Sequence, residues 1–210
     1  MSELNRCGWA SIGDPLYLSY HDHEWGTPLH DDRRLFELLT LEGAQAGLSW
    51  KTILSKRENF RKAFDGFNVK RIAAYDQKKI ESLMEDAGII RNRLKIKSAV
   101  KNANAFLRVV EEYGSFDNFI WKFTGNKPIV NSWSSTKEVP ARTEISDEMS
   151  RELVRRGFSF VGSTICYAYM QATGIVNDHT TDCFRYGELA SGYQSRNYQY
   201  RTNELPTDKH

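Results

Sequence analysis

Four residues of the kinds that bind metal ions stand in two pairs at opposite ends of this 210-residue chain: Cys7 with His21, and His179 with Cys183. The second pair has H-x3-C spacing, which places both side chains on the same side of a helical turn. Zinc prefers four nitrogen or sulfur ligands in a tetrahedron, and the two pairs together would supply them. The pattern predicts one structural zinc ion per chain that joins the N-terminal and C-terminal segments. The alternative is that the cysteines are small buried residues and the histidines are ordinary buried polar groups.

Cysteine usage and the lack of long apolar runs indicate where the protein works. Three cysteines, an odd number, argue against a disulfide framework and for the reducing cytoplasm. The third one, Cys166, lies in the apolar run TICYAYM and is predicted to be a buried core residue. No run approaches the roughly 18 apolar residues of a membrane span, and MSELNRCGW lacks the apolar core of a secretion signal. We therefore expect a cytoplasmic protein without a membrane partner.

Helical spacing of apolar residues dominates the chain and predicts an all-α fold. Residues 33–64 carry apolar side chains at intervals of three and four, with a break near Gly43 and Gly47. The break predicts two helices joined by a tight turn over residues 46–50. Further along, Asp76 is the expected N-cap of one helix and Gly114 the expected C-cap of a longer one.

The last third of the chain is less regular. The polar segment 125–145 contains two prolines and no periodicity, so we predict an ordered connection over the surface. A helix is expected to start after it, with Ser146 or Asp147 as the cap. Near the C-terminus the sequence becomes polar and aperiodic. We therefore predict a single domain over residues 1–186 and a polar, disordered tail over residues 187–210.

Residues 78–108 read as a helix, a short turn containing Gly88, and a second helix with one-sided charge. No Asp or Glu occurs from Ala87 through Val110. A helix N-terminus with nearby cations is a natural phosphate site, and a helix-hairpin-helix uses it to hold the DNA backbone without reading sequence. The alternative is a solvated basic face, since the net charge of +2 does not by itself identify a DNA-binding protein. The cations of this segment are Arg91, Arg93, Lys95, Lys97, Lys101 and Arg108.

One acidic residue, Glu42, interrupts the apolar stretch LLTLEGAQAGLSW. A buried carboxylate needs a cation or several hydrogen-bond donors, whereas an acid on a helix surface needs neither. Aromatic residues concentrate in the same part of the chain, and such clusters usually form core. They also suit an enzyme that works on a DNA base, because the flipped base must be held between aromatic faces. These aromatic residues are Trp9, Tyr17, Tyr20, Trp25 and Trp50.

Four distinct blocks of the chain contain the rare residues Trp, His or Cys. They are RCGW at 6–9, DPLYLSYHDHEWG at 14–26, LEGAQAGLSWKTIL at 41–54 and RRGFSFVGSTICYAYMQATGIVNDH at 155–179. Together with Cys183 they resemble the DNA-3-methyladenine glycosylase I family of the helix-hairpin-helix DNA glycosylase superfamily. The resemblance extends from about Arg6 to about Cys183. It implies a helix-hairpin-helix glycosylase architecture, and all four predicted zinc ligands fall on the family's ligand positions.

The resemblance also implies roles for the pocket residues. Glu42 corresponds to the catalytic and base-binding carboxylate, which accepts hydrogen bonds from the donor edge of a methylated, cationic adenine. Tyr20 corresponds to a hydrogen-bond partner of the base, and Trp50 to its stacking face. Leu48 resembles the wedge that fills the gap left in the duplex. The remaining pocket wall is expected from Tyr17, Trp9 and Trp25.

The hairpin departs from the usual superfamily pattern of Pro and two glycines, because only Gly88 is present. The family that the chain resembles has a similarly reduced hairpin. The family also lacks the superfamily's catalytic Asp, and here the nearest candidate, Asp117, lies at a predicted helix start. Contacts to the DNA backbone are expected from Gly88, Arg91, Arg93 and Lys95.

These observations predict a base-excision repair glycosylase that flips 3-methyladenine out of alkylated double-stranded DNA and hydrolyses its N-glycosidic bond. No lysine nucleophile stands out, so we expect a monofunctional enzyme that releases 3-methyladenine and leaves an abasic site. We also expect it to act as a monomer. A zinc hydrolase is a weaker alternative, because a closed Cys2His2 set leaves no position for an activated water. A DNA-binding module without chemistry would not explain Glu42 among the aromatic residues.

Overall fold

Helices form most of the structure, as predicted from the apolar spacing. The computed structural model describes residues 4–10 and 13–192. Its α-helices are α1 (Pro15–His23), α2 (Asp32–Gln45), α3 (Trp50–Ala63), α4 (Val69–Ala73), α5 (Gln77–Glu85), α6 (Arg93–Tyr113), α7 (Phe116–Trp121), α8 (Glu144–Arg155) and α9 (Ser163–Ala172). Short 3-10 helices cover Asp65–Phe67 and Lys122–Thr124, and residues 184–192 are also helical. Within the described ranges, no helix is long and apolar enough to cross a membrane.

Helix α2 runs through the centre of the molecule. Every residue from Leu35 through Ala44 is buried, and the helix packs against α3, α6, α7 and α9. A helix that is buried all round has no solvated face on which to place charge. Its buried stretch nevertheless carries two acids, Glu37 and Glu42. These two carboxylates therefore need a special explanation.

The predicted turn before α3 and the predicted caps at Asp76 and Gly114 are confirmed. Helix α2 ends at Gln45 and α3 begins at Trp50, with Ser49 as the N-cap that accepts a hydrogen bond from the Thr52 amide. Asp76 caps α5, and Gly114 follows α6 with φ of +81°, a backbone conformation that glycine adopts at little cost.

The predicted start of α8 was wrong. The helix begins at Glu144 with Thr143 as its N-cap, and Ser146 lies in its first turn. The amide of Thr143 donates to Ser146 Oγ at 2.8 Å, and the amide of Ser146 donates to Thr143 Oγ1 at 3.3 Å. This reciprocal capping box explains the difference, because Ser146 completes the cap from inside the helix.

Segment 125–145 is more than a surface connection. Its strand β1 (Ile129–Val130) pairs in parallel with β2 (Val176–Asn177), which follows α9. Strands of two residues have no periodicity, so the sequence pattern could not reveal them. At the C-terminus, the predicted domain boundary at residue 186 falls inside the helical segment 184–192. The rest of the predicted tail, residues 193–210, lies outside the described residues.

Candidate functional site

The two Cys–His pairs meet in one buried cluster. The ligand atoms of Cys7, His21, His179 and Cys183 all lie within 4.8 Å of one another. The sulfur of Cys183 is 3.5 Å from His21 Nε2 and 3.5 Å from His179 Nδ1, and Cys7 Sγ is 3.4 Å from His179 Nδ1. Zinc bond lengths and tetrahedral angles give a nitrogen–sulfur separation of about 3.6 Å. The four side chains can therefore hold a metal ion.

The far side of each imidazole is also fixed. Nδ1 of His21 is 2.8 Å from a carboxylate oxygen of Asp22, and Nε2 of His179 is 3.0 Å from the Trp25 carbonyl. Arg6 holds Asp22 and lowers its pKa to about 2, so this carboxylate is an acceptor. Each ring donates outward and presents its other nitrogen, with a lone pair, to the cluster. This is the usual arrangement of partners around metal-binding histidines.

The cluster brings together the beginning and the end of the described chain. Cys7 and His21 come from the N-terminal segment and α1, whereas His179 and Cys183 follow β2. Next to them, the Phe184 amide donates to the Asn5 carbonyl at 3.0 Å. The predicted connection between the terminal segments is therefore present as a set of direct contacts.

The six predicted base-binding residues surround one cavity of about 400 Å³. They come from the N-terminal segment, α1, the turn after α1, α2 and α3. The turn before α3 brings Trp50 next to Tyr20, with ring centroids 5.4 Å apart. Trp9 packs edge-on against both Tyr17 and Trp25, at 5.4 and 4.9 Å. A cavity of this size suits a small planar ligand. The six residues are Trp9, Tyr17, Tyr20, Trp25, Glu42 and Trp50.

Glu42 differs from the other buried acid of α2. Glu37 Oε1 accepts hydrogen bonds from Arg57 at 2.5 Å and from Arg61 at 3.0 Å. Glu42 is only 3% exposed, and burial raises its pKa from 4.5 to about 8. Its Oε2 atom has no hydrogen-bond partner among the described residues, and neither has the buried Nε1 of Trp50. Surface exposure is thus excluded for Glu42, and the cavity holds polar atoms that are free to bind a ligand.

Sequence analysis missed the opposite wall of the cavity. It is formed by one face of α9, with Thr164, Tyr167 and Gln171, and by residues of segment 136–141. The apolar stretch around Cys166 suggested only a core helix, and Cys166 itself is indeed buried. Spacings of three, four and seven along α9 were a signal, because they place these side chains on one face. Asp178 also lines this wall.

The cluster and the cavity share residues. The carbonyl of Trp25 contacts His179, while its side chain lines the cavity. Trp9 packs edge-on against His21 at 5.1 Å and lines the same cavity. The Cys/His cluster therefore lies directly behind the aromatic wall of the cavity.

The predicted hairpin consists of α5, a turn over residues 86–92, and α6. The Gly88 amide donates to Asp86 Oδ1 at 2.7 Å. A Cβ at Gly88 would lie 2.9 Å from that oxygen and 3.1 Å from Asn59 Cβ. Gly88 is thus needed for close packing in the turn. The order predicted for residues 78–108, one helix, a short turn and a second helix, is confirmed.

The predicted DNA contacts have different environments. Arg91 and Arg93 are exposed and form no ion pair with another described residue, and Leu48 is 40% exposed in the turn before α3. In contrast, the ammonium of Lys95 donates to the carbonyls of Ala44 at 2.8 Å and Ala46 at 2.6 Å. Two of the three ammonium hydrogens of Lys95 therefore form hydrogen bonds within the protein. A count of charges along the chain does not reveal such a contact.

Comparison with known proteins agrees with this site. A family model for methyladenine glycosylases matches residues 9–186. The chain is 48% identical to DNA-3-methyladenine glycosylase 1 of Escherichia coli (strain K12) over 183 residues, covering 87% of this chain and 97% of that protein.

Two solved structures are also similar. A crystal structure of 3-methyladenine DNA glycosylase I has 49% identity and a TM-score of 0.82, covering 86% of this chain and 98% of that one. A tyrosine-to-phenylalanine variant of a 3-methyladenine DNA glycosylase I, in complex with 3-methyladenine, has 34% identity and a TM-score of 0.83, covering 86% and 97%. The chain therefore belongs to the methyladenine glycosylase family.

Proposed function

We propose that the protein removes 3-methyladenine from alkylated double-stranded DNA as a monofunctional glycosylase and leaves an abasic site. The observation that carries this proposal is Glu42, a buried carboxylate with an unpartnered oxygen in an aromatic cavity. The family and the relative that was solved with 3-methyladenine support the same substrate.

Charge accounts for recognition of the damaged base. Methylation at N3 makes the adenine of the nucleotide cationic, whereas undamaged adenine is neutral. With a pKa of about 8, Glu42 is mostly protonated at neutral pH before the base enters, and a bound cation favours the ionised carboxylate. Trp50 offers an aromatic face to the same cation, which adds a cation–π attraction. Neutral adenine gains neither interaction.

The positive charge also explains how little chemical assistance is needed. When the bond between the base and C1′ breaks, its electron pair returns to the cationic base, which leaves as a neutral molecule. Water adds to the sugar cation and loses a proton, which gives the abasic hydroxyl. Glu42 contributes by holding the flipped base rather than by donating a proton to it. No lysine is found among the described residues that line the cavity, so we infer that water is the nucleophile.

We infer that the hairpin holds the DNA backbone. We infer that Arg91, Arg93 and the N-terminus of α6 bind phosphates, which requires no reading of sequence. Leu48 would fill the gap that the flipped nucleotide leaves, since it is exposed in the turn that leads to Trp50. Lys95 would hold that turn on the hairpin through the carbonyls of Ala44 and Ala46.

We infer that the Cys/His cluster binds one structural zinc ion. The donor set of two thiols and two imidazoles suits zinc, and four protein ligands close the coordination sphere. The cluster would then stabilise the junction of the two terminal segments and the aromatic wall in front of it. We further propose that the chain acts as a monomer in the cytoplasm.

Release of free base from methylated duplex DNA tests the function. The wild type should release 3-methyladenine, and the strand should break at the abasic site only after alkali or heat. Glu42→Gln should remain folded by circular dichroism and bind free 3-methyladenine about ten- to a hundredfold more weakly, as expected for a lost charge-assisted hydrogen bond. Glu58→Gln, at an exposed glutamate of α3, serves as the control and should behave as the wild type. Equal binding by folded Glu42→Gln would exclude Glu42 as the recognition carboxylate.

A further inference from the structure

Asp178 organises the wall of the cavity that α9 forms. It is 2% exposed, and its carboxylate accepts four hydrogen bonds. Asn131 Nδ2 and Trp133 Nε1 donate to Oδ1 at 2.6 and 2.8 Å. Tyr167 Oη and Gln171 Nε2 donate to Oδ2 at 2.7 and 2.8 Å. Because the indole nitrogen can only donate, Asp178 serves this network as an acceptor.

This network fixes the orientation of the Gln171 amide. A carboxylate oxygen that accepts must face the NH2 group of Gln171, so the carbonyl oxygen Oε1 points to the other side of the amide. Oε1 has no hydrogen-bond partner in the described part of the chain, and the side chain lines the cavity. The α9 wall thus carries a hydrogen-bond acceptor whose polarity is set by Asp178.

A hydrogen-bond acceptor held in this way selects a ligand that donates a hydrogen bond to it. An adenine-type base has an exocyclic amino group at C6, whereas a guanine-type or hypoxanthine-type base has a carbonyl oxygen there. An amino group would satisfy Gln171 Oε1. A carbonyl oxygen would leave both acceptors unpaired in a cavity of low polarity, which is unfavourable.

We propose that Gln171 is a specificity-determining residue that accepts a hydrogen bond from the C6 amino group of the base, and that Asp178 positions it. This inference rests on the proposed function and deepens it. It adds the α9 wall to the choice between adenine-type and guanine-type lesions, because the C6 amino group has two hydrogens and can donate to Gln171 as well as to Glu42. Glu42, on α2, also responds to the positive charge that both types of lesion share.

Two free bases test the assignment: 3-methyladenine, and 3-methylhypoxanthine, in which a carbonyl oxygen replaces the amino group. The wild type should bind 3-methyladenine more tightly. Gln171→Met keeps the length of the side chain and removes the acceptor. It should weaken 3-methyladenine binding roughly three- to tenfold, the value of one neutral hydrogen bond, and reduce the preference between the two bases.

Gln77→Met is the matched control. Gln77 is exposed at the start of α5 and does not line the cavity. Its replacement should leave the preference between the two bases unchanged.

Asp178→Asn tests the positioning role. An asparagine can donate to Gln171, so the Gln171 amide is free to turn and present NH2 to the cavity. The preference should then shift towards 3-methylhypoxanthine, and this shift should disappear in the Gln171→Met background. A residue that only supported the fold would not give such a dependence. Thermal melting and metal content report whether Asp178→Asn is intact. If it is not, Gln171→Met alone decides.

The outcomes separate this inference from the proposed function. If the wild type releases and binds 3-methyladenine while Gln171→Met keeps the affinity and the preference of the wild type, only the inference is wrong. If the wild type neither releases nor binds 3-methyladenine, the proposed function fails and the inference fails with it.

Discussion

The Cys/His cluster and the cavity in front of it are both buried, and both are built from polar and aromatic side chains, but their polar atoms differ in how they are satisfied. In the cluster, each histidine has a partner on both sides of its ring. In the cavity, Glu42 Oε2 and Trp50 Nε1 are buried without a partner in the described chain. A satisfied group stabilises the fold, whereas an unsatisfied one costs stability until a ligand arrives.

The two buried acids of α2 repeat this difference within one helix. Glu37 is paired with Arg57 and Arg61, whereas Glu42 has only its raised pKa to limit the cost of burial. Real proteins place such costs at functional sites, where evolution keeps a group that stability alone would remove. Glu42 and Trp50 combine both properties, because each has a buried polar atom without a partner and each lines the aromatic cavity.

The largest expected effect lies in the cluster. Cys183→Ala should abolish stable metal binding and lower the melting temperature by at least about 10 °C, because structural zinc contributes on the order of 10 kcal/mol to small metal-dependent folds. Elemental analysis and calorimetry measure both quantities. Cys166→Ala is the control, since this buried thiol lies in the apolar core, outside the cluster, and donates to the Val161 carbonyl; its loss should cost roughly 1–2 kcal/mol. A metal-free wild type, or a Cys183→Ala variant as stable as the control, would contradict the structural role.

The next effect distinguishes the two buried acids of α2 by how their contributions to stability depend on pH. Glu42 holds its proton in the folded protein up to about pH 8, whereas the unfolded chain loses it near pH 4.5, so its contribution to stability falls as the pH rises between these values. Glu42→Gln should therefore gain about 3 kcal/mol relative to the wild type between pH 5 and pH 8. Glu37→Gln should be less stable than the wild type at both pH values, because it removes one of the two carboxylates that neutralise the buried Arg57 and leaves only Glu24. Denaturant titrations at the two pH values test the pair. A constant difference for Glu42→Gln would show that its carboxyl titrates normally.

The smallest effect concerns the hairpin, where a cation that is satisfied inside the protein can be compared with two exposed ones. Arg91 and Arg93 are exposed, so replacing either by Ala should reduce the slope of log affinity against log salt by about 1 for duplex DNA. The Lys95 ammonium is satisfied inside the protein, so Lys95→Met should keep the wild-type slope and instead slow base release from bound DNA. A slope reduced equally in all three variants would mean that Lys95 contacts phosphate, as its sequence context first suggested.

The sequence revealed those features of the site whose causes are local. An acid inside an apolar helix identified Glu42, H-x3-C spacing identified His179 and Cys183, and glycine breaks located the turn before Trp50. Lys95 and Asp178 escaped because their partners lie far along the chain: 49 and 51 residues away for Lys95, and 45 and 47 residues away for the indole and amide that bind Asp178. Residue type alone does not show whether a charge will be solvated or satisfied by distant groups.

The contact between Cys7 and His179 closes a loop of 172 residues. Closing so long a loop costs about 5 kcal/mol of chain entropy, and this cost must be met before the contact contributes anything. The helices, which depend on nearer neighbours, can form first, so the junction of the two ends belongs to the late steps of folding. Weakening it should accelerate unfolding far more than it slows folding. The lifetime of the native state, rather than the speed at which it forms, is therefore set where the two ends of the chain meet.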